Sequence, residues 1–316
     1  MIRRVDALNP EENIVDIKTV KSCSFIRAFA GTCCGTGIFV ILCRHRVWKM
    51  LAHLLLLSLL ISFPVTFMVG RRARAEFTAA REIFVSTFGK ELLFNVEYKG
   101  FKPSKNPEES RSAVFPGFGR IYYFPTVPAA FPDRSSYADL NSFAVWSPGK
   151  VSVVHRGTEN EWVVNSFSAE GISFFVSSRP AELFSVLPAG QGGKVLKFSS
   201  DRLFDEIFFA YKVRVYITHA VALFVLPLIY ALILLGVLRF TFARVTVPDY
   251  WAWWKCGVYA AFPGALIASA VTALDLPLIS FTTAYMLSAM IYGLHAVMRI
   301  EYEKSAEEFE NEKYRE

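Results

Sequence analysis

Residues 49–72 read KMLAHLLLLSLLISFPVTFMVGRR, and this stretch decides the architecture. Between Met50 and Gly70 there is no Asp, Glu, Lys or Arg, and seven leucines fall within the ten residues 51–60. A hydrocarbon core about 30 Å thick takes roughly 20 apolar residues at about 1.5 Å each, so the run is long enough to span a bilayer. Basic residues close both ends, Arg46 and Lys49 before it and Arg71, Arg72 and Arg74 after it. The segments on its two sides are therefore expected on opposite faces of a membrane.

Three more charge-free runs follow: Val215–Leu238, Cys256–Leu274 and Leu276–Met298. They account for a hydrophobic content of 53% and a mean hydropathy of +0.34 across 316 residues, too apolar for one ordinary soluble domain. His53, His219 and His295 are the titratable side chains inside the four runs, cysteine and tyrosine aside. A net charge of +6 is spread along the chain with no block of five like charges, so nucleic acid is not implied. Basic residues beside apolar runs fit topology and anionic lipid instead. Cys23, Cys33, Cys34 and Cys43 precede the first run and Cys256 lies in the third, which leaves the central segment without any disulfide framework. The adjacent Cys33–Cys34 match no metal-binding CxxC pair.

In chain order, residues 1–46 are expected to form a cytoplasmic or interfacial N-terminal segment. Within it, Phe29–Cys43 is uncharged but only 15 residues long and holds three glycines, which reads as interfacial or re-entrant, with a fifth span as the alternative. Residues 47–70 make the first span, kinked at Pro64. Ala73-Arg74-Ala75 has the small-x-small form of a signal-peptidase site, but arginines lead into it and the apolar run is long, so an uncleaved anchor is expected. Residues 71–214 are the extracytoplasmic domain with helical ends.

Phe77, Phe84 and Phe88 sit at helical spacing, which extends the first helix to about Gly89. Then the period shortens. Leu92–Tyr98, Gly119–Phe124, Phe143–Trp146, Val151–His155, Trp162–Val164, Ile172–Val176 and Lys194–Phe198 read as short strands between Pro/Gly turns, with Pro148-Gly149 as a hairpin connection. Pro180–Leu187 is the one helical-looking insertion. Ser199-Ser200-Asp201 caps a second long helix that continues into the second span, 215–238, kinked at Pro227.

Residues 239–251 are a cytoplasmic loop, 252–274 and 276–298 the third and fourth spans, and 299–316 a cytoplasmic helical tail. Trp48, Trp251, Trp253 and Trp254 are expected interface anchors. Ala260, Gly264 and Ala268 recur every four residues, a small-residue stripe for close packing, with Ala284, Ser288, Ala289 and Gly293 as the facing set. Asp275 is expected to cap the fourth span, with Pro277 in its first turn. Four spans put both termini on one side, and the distribution of Lys and Arg around the spans tilts that side towards the cytoplasm.

One span, a sheet-rich exported domain and three further spans, with FIRAF…RHRVWKMLAHLLLLSLL leading in and VTVPDYWAWWKCGVYAAFPGALIASAV entering the last hairpin, resembles a bacterial membrane family of unknown function. Some of its members are labelled maltodextrin-utilisation proteins. The resemblance covers the layout of most of the chain and residue detail only in the membrane segments. It implies topology and no catalytic residue.

Chemistry-bearing motifs are sparse. Gly190-Gln191-Gly192-Gly193-Lys194 has Pro188 where a phosphate loop needs its first glycine, and Val195 where it needs Ser or Thr. His155 has Asp133 and Asp139 upstream but no GxSxG elbow. The apolar runs hold no acid or base for a proton or ion pathway beyond three histidines near their ends, and Pro263-Gly264 is the one candidate for an unwound helix. The fold class expected is therefore a four-helix membrane protein with an inserted α+β or mainly β extracytoplasmic domain. The function expected is non-enzymatic: a multi-pass bacterial inner-membrane protein whose exported domain binds or senses, with no catalytic, metal or cofactor residue and no cofactor. The partners expected are the lipid bilayer and a membrane protein or transport complex. A solute-transport component is the alternative, and an envelope hydrolase a second.

Overall fold

The computed structural model describes residues 23–35, 38–95, 100–116, 119–128, 142–156, 162–168, 184–186, 195–241, 250–276 and 279–313. Two compact units divide the chain, Met1–Val69 with Arg214–Glu316, and Gly70–Val213. Each boundary falls inside a 42-residue helix, α3 (Val47–Phe88) or α4 (Ser200–Thr241). With α5 (Tyr250–Leu274) and α6 (Phe281–Lys313), these make four helices long and apolar enough to cross a membrane. A separate sheet-containing domain accompanies them.

The apolar unit is built on α5, whose residues Val258–Phe262, Ala265 and Ala268 are buried. It packs most extensively on α6. A Cβ placed on Gly264 would lie 3.2 Å from the Ala289 nitrogen, 3.3 Å from Ser288 Cβ and 3.3 Å from the Tyr285 carbonyl. The small-residue stripe of α5 therefore meets Ser288 and Ala289. Gly293 serves another neighbour: its open face meets Leu234 of α4. Helix α4 touches α5 through Trp254 Nε1, which donates to the Leu228 carbonyl at 3.3 Å, and through Ala231 against Gly257. It touches α6 through Tyr230 and Tyr285, ring centroids 5.5 Å apart. With His219 of α4 bonded to Ser269 of α5 while Ala231 meets Gly257, α4 runs antiparallel to α5, and the pairs Tyr230–Tyr285 and Leu234–Gly293 make it parallel to α6.

Helix α5 continues through Pro263-Gly264 without interruption, so the one candidate for an unwound point is helical. The helical end also differs from expectation. Asp275 does not cap α6; it ends α5. Its φ is 54°, and its N–H and that of Leu276 donate back to the carbonyls of Thr272 and Val271 at 3.3 and 3.2 Å, the paired bonds of a left-handed C-terminal cap. Aspartate tolerates both conformations, so its identity alone misleads. Ser280 caps α6 instead, its Oγ accepting from the Thr283 N–H at 3.1 Å.

Phe29–Cys43 is neither one helix nor a span. α1 (Phe25–Cys34) ends at Gly35 and α2 (Phe39–Leu42) is a single turn. Ten residues rise only about 15 Å, too little to cross a bilayer. Both short helices pack on α5, with Ala28, Phe39 and Leu42 fully buried.

In the other unit, strands form two sheets. One is ordered β2 (Gly100–Pro103), β1 (Glu91–Asn95), β9 (Val195–Ser199), β8 (Phe184–Val186), all antiparallel. The other is ordered β3 (Arg111–Phe115), β4 (Gly119–Tyr123), β5 (Ser142–Ser147), β6 (Lys150–Arg156), β7 (Trp162–Ser168), with β4 and β5 parallel. Pro148-Gly149 joins β5 to β6 as a two-residue hairpin. Strands β2 and β3 leave little signal in the sequence, because GFKP and RSAVF carry Gly, Pro and charge with little alternation. Phe184–Val186 is strand rather than helix; its aromatic Phe184 and β-branched Val186 favour the extended form, and it pairs with β9. The strand expected at Ile172–Val176 and the glycines at 190–193 lie outside the described residues.

The core of this unit is shared between sheets and helix ends. Ala80, Phe84 and Phe88 of α3 and Leu203 and Phe204 of α4 pack with Leu92, Phe115, Tyr123 and Trp146. Side chains alternate across a strand. Trp146 therefore faces this core, while Phe143 and Val145 join Tyr122 and Val154 in a smaller cluster. Trp146 also links the sheets: its Nε1 donates to the Phe101 carbonyl at 3.1 Å. Within the same unit α3 and α4 run side by side, with Phe77 5.1 Å from Phe208 and 5.5 Å from Tyr211 by ring centroid.

Candidate functional site

A buried polar cluster lies inside the apolar unit, where polar side chains are costly and therefore informative. His45 stands between α2 and α3, His53 one turn inside α3, and Tyr259 in the middle of α5. The Tyr259 hydroxyl is 2.9 Å from Nδ1 of His45 and 3.0 Å from Nδ1 of His53. The two imidazoles meet edge to face with centroids 5.7 Å apart, and Phe25 of α1 covers His53 at 5.8 Å. His45 is 6% exposed and His53 7%. Nε2 of His45 is buried and has no hydrogen-bond partner among the described residues. Burial, then the positive charges of Lys49, His53 and Lys255, push His45 down to about 4.

Lys255 lies one turn before Tyr259 on the same face of α5. Its Nζ donates to the His45 carbonyl at 2.7 Å and is buried with it. Beside it the thiols of Cys43 and Cys256 are hydrogen-bonded, and that bond holds Cys43 below the ordinary thiol range against the opposing pull of burial. These contacts fasten the α1–α2 segment to α5. A second polar pair, His219 Nε2 and Ser269 Oγ at 3.1 Å, joins α4 to α5, with Phe281 stacked on the imidazole edge at 5.1 Å.

Of the histidines expected near span ends, His53 and His219 are thus built into interhelical bonds. His295 is exposed and its Nδ1 bonds the carbonyl of Ile291 in its own helix at 3.1 Å. Of the four tryptophans expected as anchors, Trp48 and Trp251 are 82% and 60% exposed. Trp253 is buried, turned into the bundle against Leu234, Leu235, Gly293 and Ala296, and Trp254 is half-buried through its bond to Leu228. His45, Tyr259 and Lys255 were not singled out in the sequence. The available signal was Lys255 and Tyr259 at i and i+4, two polar groups on one face of an otherwise apolar helix.

An apolar groove of about 340 Å³ opens between α1, α3 and α5, lined by Phe25, Phe29, Ile61, Pro64, Leu266 and Ser269. In the sheet-containing unit His155 is half-buried on β6 opposite Ser142 and Val163, while Asp133, Asp139 and Lys194 lie outside the described residues. No group of three His, Cys, Asp or Glu side chains that could hold a metal occurs among the described residues. No family model, curated protein or solved structure matches the chain.

Proposed function

We propose that this is a multi-pass protein of the bacterial inner membrane whose sheet domain is exported and binds or senses a ligand, while the helical unit anchors it and docks a partner membrane protein. The role is binding rather than catalysis. One observation carries this reading: the core of the sheet domain is completed by the same two helices, α3 and α4, that continue as membrane-length apolar segments. Strands β1 and β9, which pair from Glu91↔Ser199 onward, tie those helices at their domain ends. A ligand that reshapes the sheets therefore acts on two helices at once, which suits a sensor.

The termini are cytoplasmic and residues 71–214 external on this reading, and the resemblance to the membrane family of unknown function is consistent with it. Reporter fusions at Lys150 and at Glu316 test the topology, and opposite sides with Lys150 outside is the expected result. Mass spectrometry of what co-purifies with the full-length protein in detergent, with and without residues 91–199, tests the docking. Solute flux in proteoliposomes of the purified protein would overturn the reading in favour of a transport component.

A further inference from the structure

Cys43 follows the single turn of α2, and its N–H closes that turn on the Phe39 carbonyl at 2.9 Å. Its thiol is hydrogen-bonded to that of Cys256 on α5. Two residues further on, the His45 carbonyl accepts from Lys255 Nζ at 2.7 Å, so residues 43 and 45 are held against residues 256 and 255. Lys255 is buried and belongs to none of the described ion pairs with a carboxylate. A buried cation is costly without an anion, and a Cys43 thiolate supplies one. The Cys256 hydrogen bond, then the charges of Lys255 and Arg44, hold the Cys43 thiol below its ordinary range against the pull of burial. Access differs within the pair. Cys43 is half-buried, so a small reagent reaches it from outside, while Cys256 is enclosed behind it. The other three cysteines lack this setting: burial pushes Cys23 and Cys33 up, and Cys34 is simply exposed.

We propose that Cys43 and Cys256 are an oxidisable pair, in which Cys43 reacts first with a hydroperoxide and Cys256 closes the disulfide. The Cys43 sulfur attacks one peroxide oxygen. The O–O bond breaks, Cys43 becomes a sulfenic acid, and the hydroxide that leaves takes up the Cys43 proton as water. The Cys256 sulfur then attacks the Cys43 sulfur. The S–S bond forms, the S–OH bond breaks, and the hydroxide leaves as a second water with the Cys256 proton. Two thiols lose two electrons and two protons, and one hydrogen peroxide is reduced to two waters. A disulfide is about 2.0 Å long, and sulfurs already in hydrogen-bond reach need only close in to form it. The bond makes the hold of α2 on α5 covalent, and a reducing thiol reverses it. The pair lies wholly in the helical unit and does not depend on what the sheet domain binds.

The test uses the full chain, purified in detergent in reduced form and treated with hydrogen peroxide at neutral pH. Remaining thiols are blocked with N-ethylmaleimide at successive times, and unreduced peptides are mapped by mass spectrometry. The expected result is a Cys43–Cys256 linked peptide that forms before the exposed Cys34 is oxidised and that dithiothreitol removes. In Cys256→Ser, Cys43 should instead accumulate as a sulfenic acid that dimedone traps. In Lys255→Met, which keeps the length of the side chain without its charge, oxidation of Cys43 should slow several-fold. Cys34 reacting ahead of Cys43, Cys43 linking to Cys23, Cys33 or Cys34, or the absence of any Cys43–Cys256 link would each overturn the proposal. The wild-type map decides by itself, so a variant that fails to fold leaves the test intact.

Discussion

The Ser200 hydroxyl donates to the Gly89 carbonyl across 2.9 Å, joining the residue that follows α3 to the residue that begins α4. The Ser200 N–H reaches the Lys90 carbonyl at 2.9 Å, so Ser200 bonds across to the other helix end where capping of its own helix was expected. Gly89 has φ 103°, its N–H closes the last turn of α3 on the Val85 carbonyl at 3.0 Å, and an added Cβ would press on Ser104 and on the Lys105 nitrogen.

That joint should be sensitive. Gly89→Ala places a side chain in a backbone conformation that favours glycine and against a neighbouring main chain, and is expected to cost about 1–3 kcal/mol. Ser200→Ala removes only a hydrogen bond, for about 0.5–1.5 kcal/mol. Thermal unfolding of the full chain in detergent checks the order. A Gly89→Ala as stable as wild type would contradict the geometry of the joint.

The contact of Phe77 with Phe208 and Tyr211 predicts a cross-link. In a background without the five native cysteines, Phe77→Cys with Phe208→Cys should react with a short bifunctional maleimide. Phe77→Cys with Val213→Cys, further along α4, is the control expected to react less. Equal yields from both pairs would argue that the helices slide.

The α5–α6 contact predicts a contrast. Nearly everything around Gly264 is backbone or Cβ, which cannot move aside, so Gly264→Leu is expected to cost about 1–3 kcal/mol through overpacking. Leu266 is 38% exposed, and Leu266→Ala should be close to silent. Folded yield and melting temperature in detergent read both. The reverse order would mean that α5 is turned the other way.

Asp275 predicts a third contrast, because it holds a left-handed conformation. Asp275→Gly should be tolerated, while the β-branched Asp275→Val should destabilise by about 1–2 kcal/mol. A harmless valine would show that the α5 cap is not formed.

His45 sets a pH dependence. A free histidine titrates near 6.5. His45 is held to about 4, so between those values the unfolded chain binds a proton that the folded chain does not. Its contribution is complete above about 6.5 and shrinks as pH falls towards 4. Melting temperature should therefore fall more steeply over that window in wild type than in His45→Asn, which keeps a side-chain donor without titrating. Parallel curves for the two proteins would show that His45 is not buried as described.

The apolar helices were legible in the sequence because a run such as Leu51–Leu60 has one physical requirement, removal from water, and length alone tells what it can cross. The end of α3 at Gly89 was legible for a similar reason, since a positive φ favours glycine. The facing of Gly264 by Ser288 and Ala289 could be anticipated from spacing, because small residues mark where backbones approach. The tertiary structure decided the rest. Asp275 could begin one helix or end another, and only the backbone bonds to Val271 and Thr272 choose. Strands such as Gly100–Pro103 exist because a neighbour supplies their hydrogen bonds, which no local pattern records. The cluster of His45, His53 and Tyr259 joins residues more than 200 positions apart, so it arises where α5 packs against α3 and nowhere earlier.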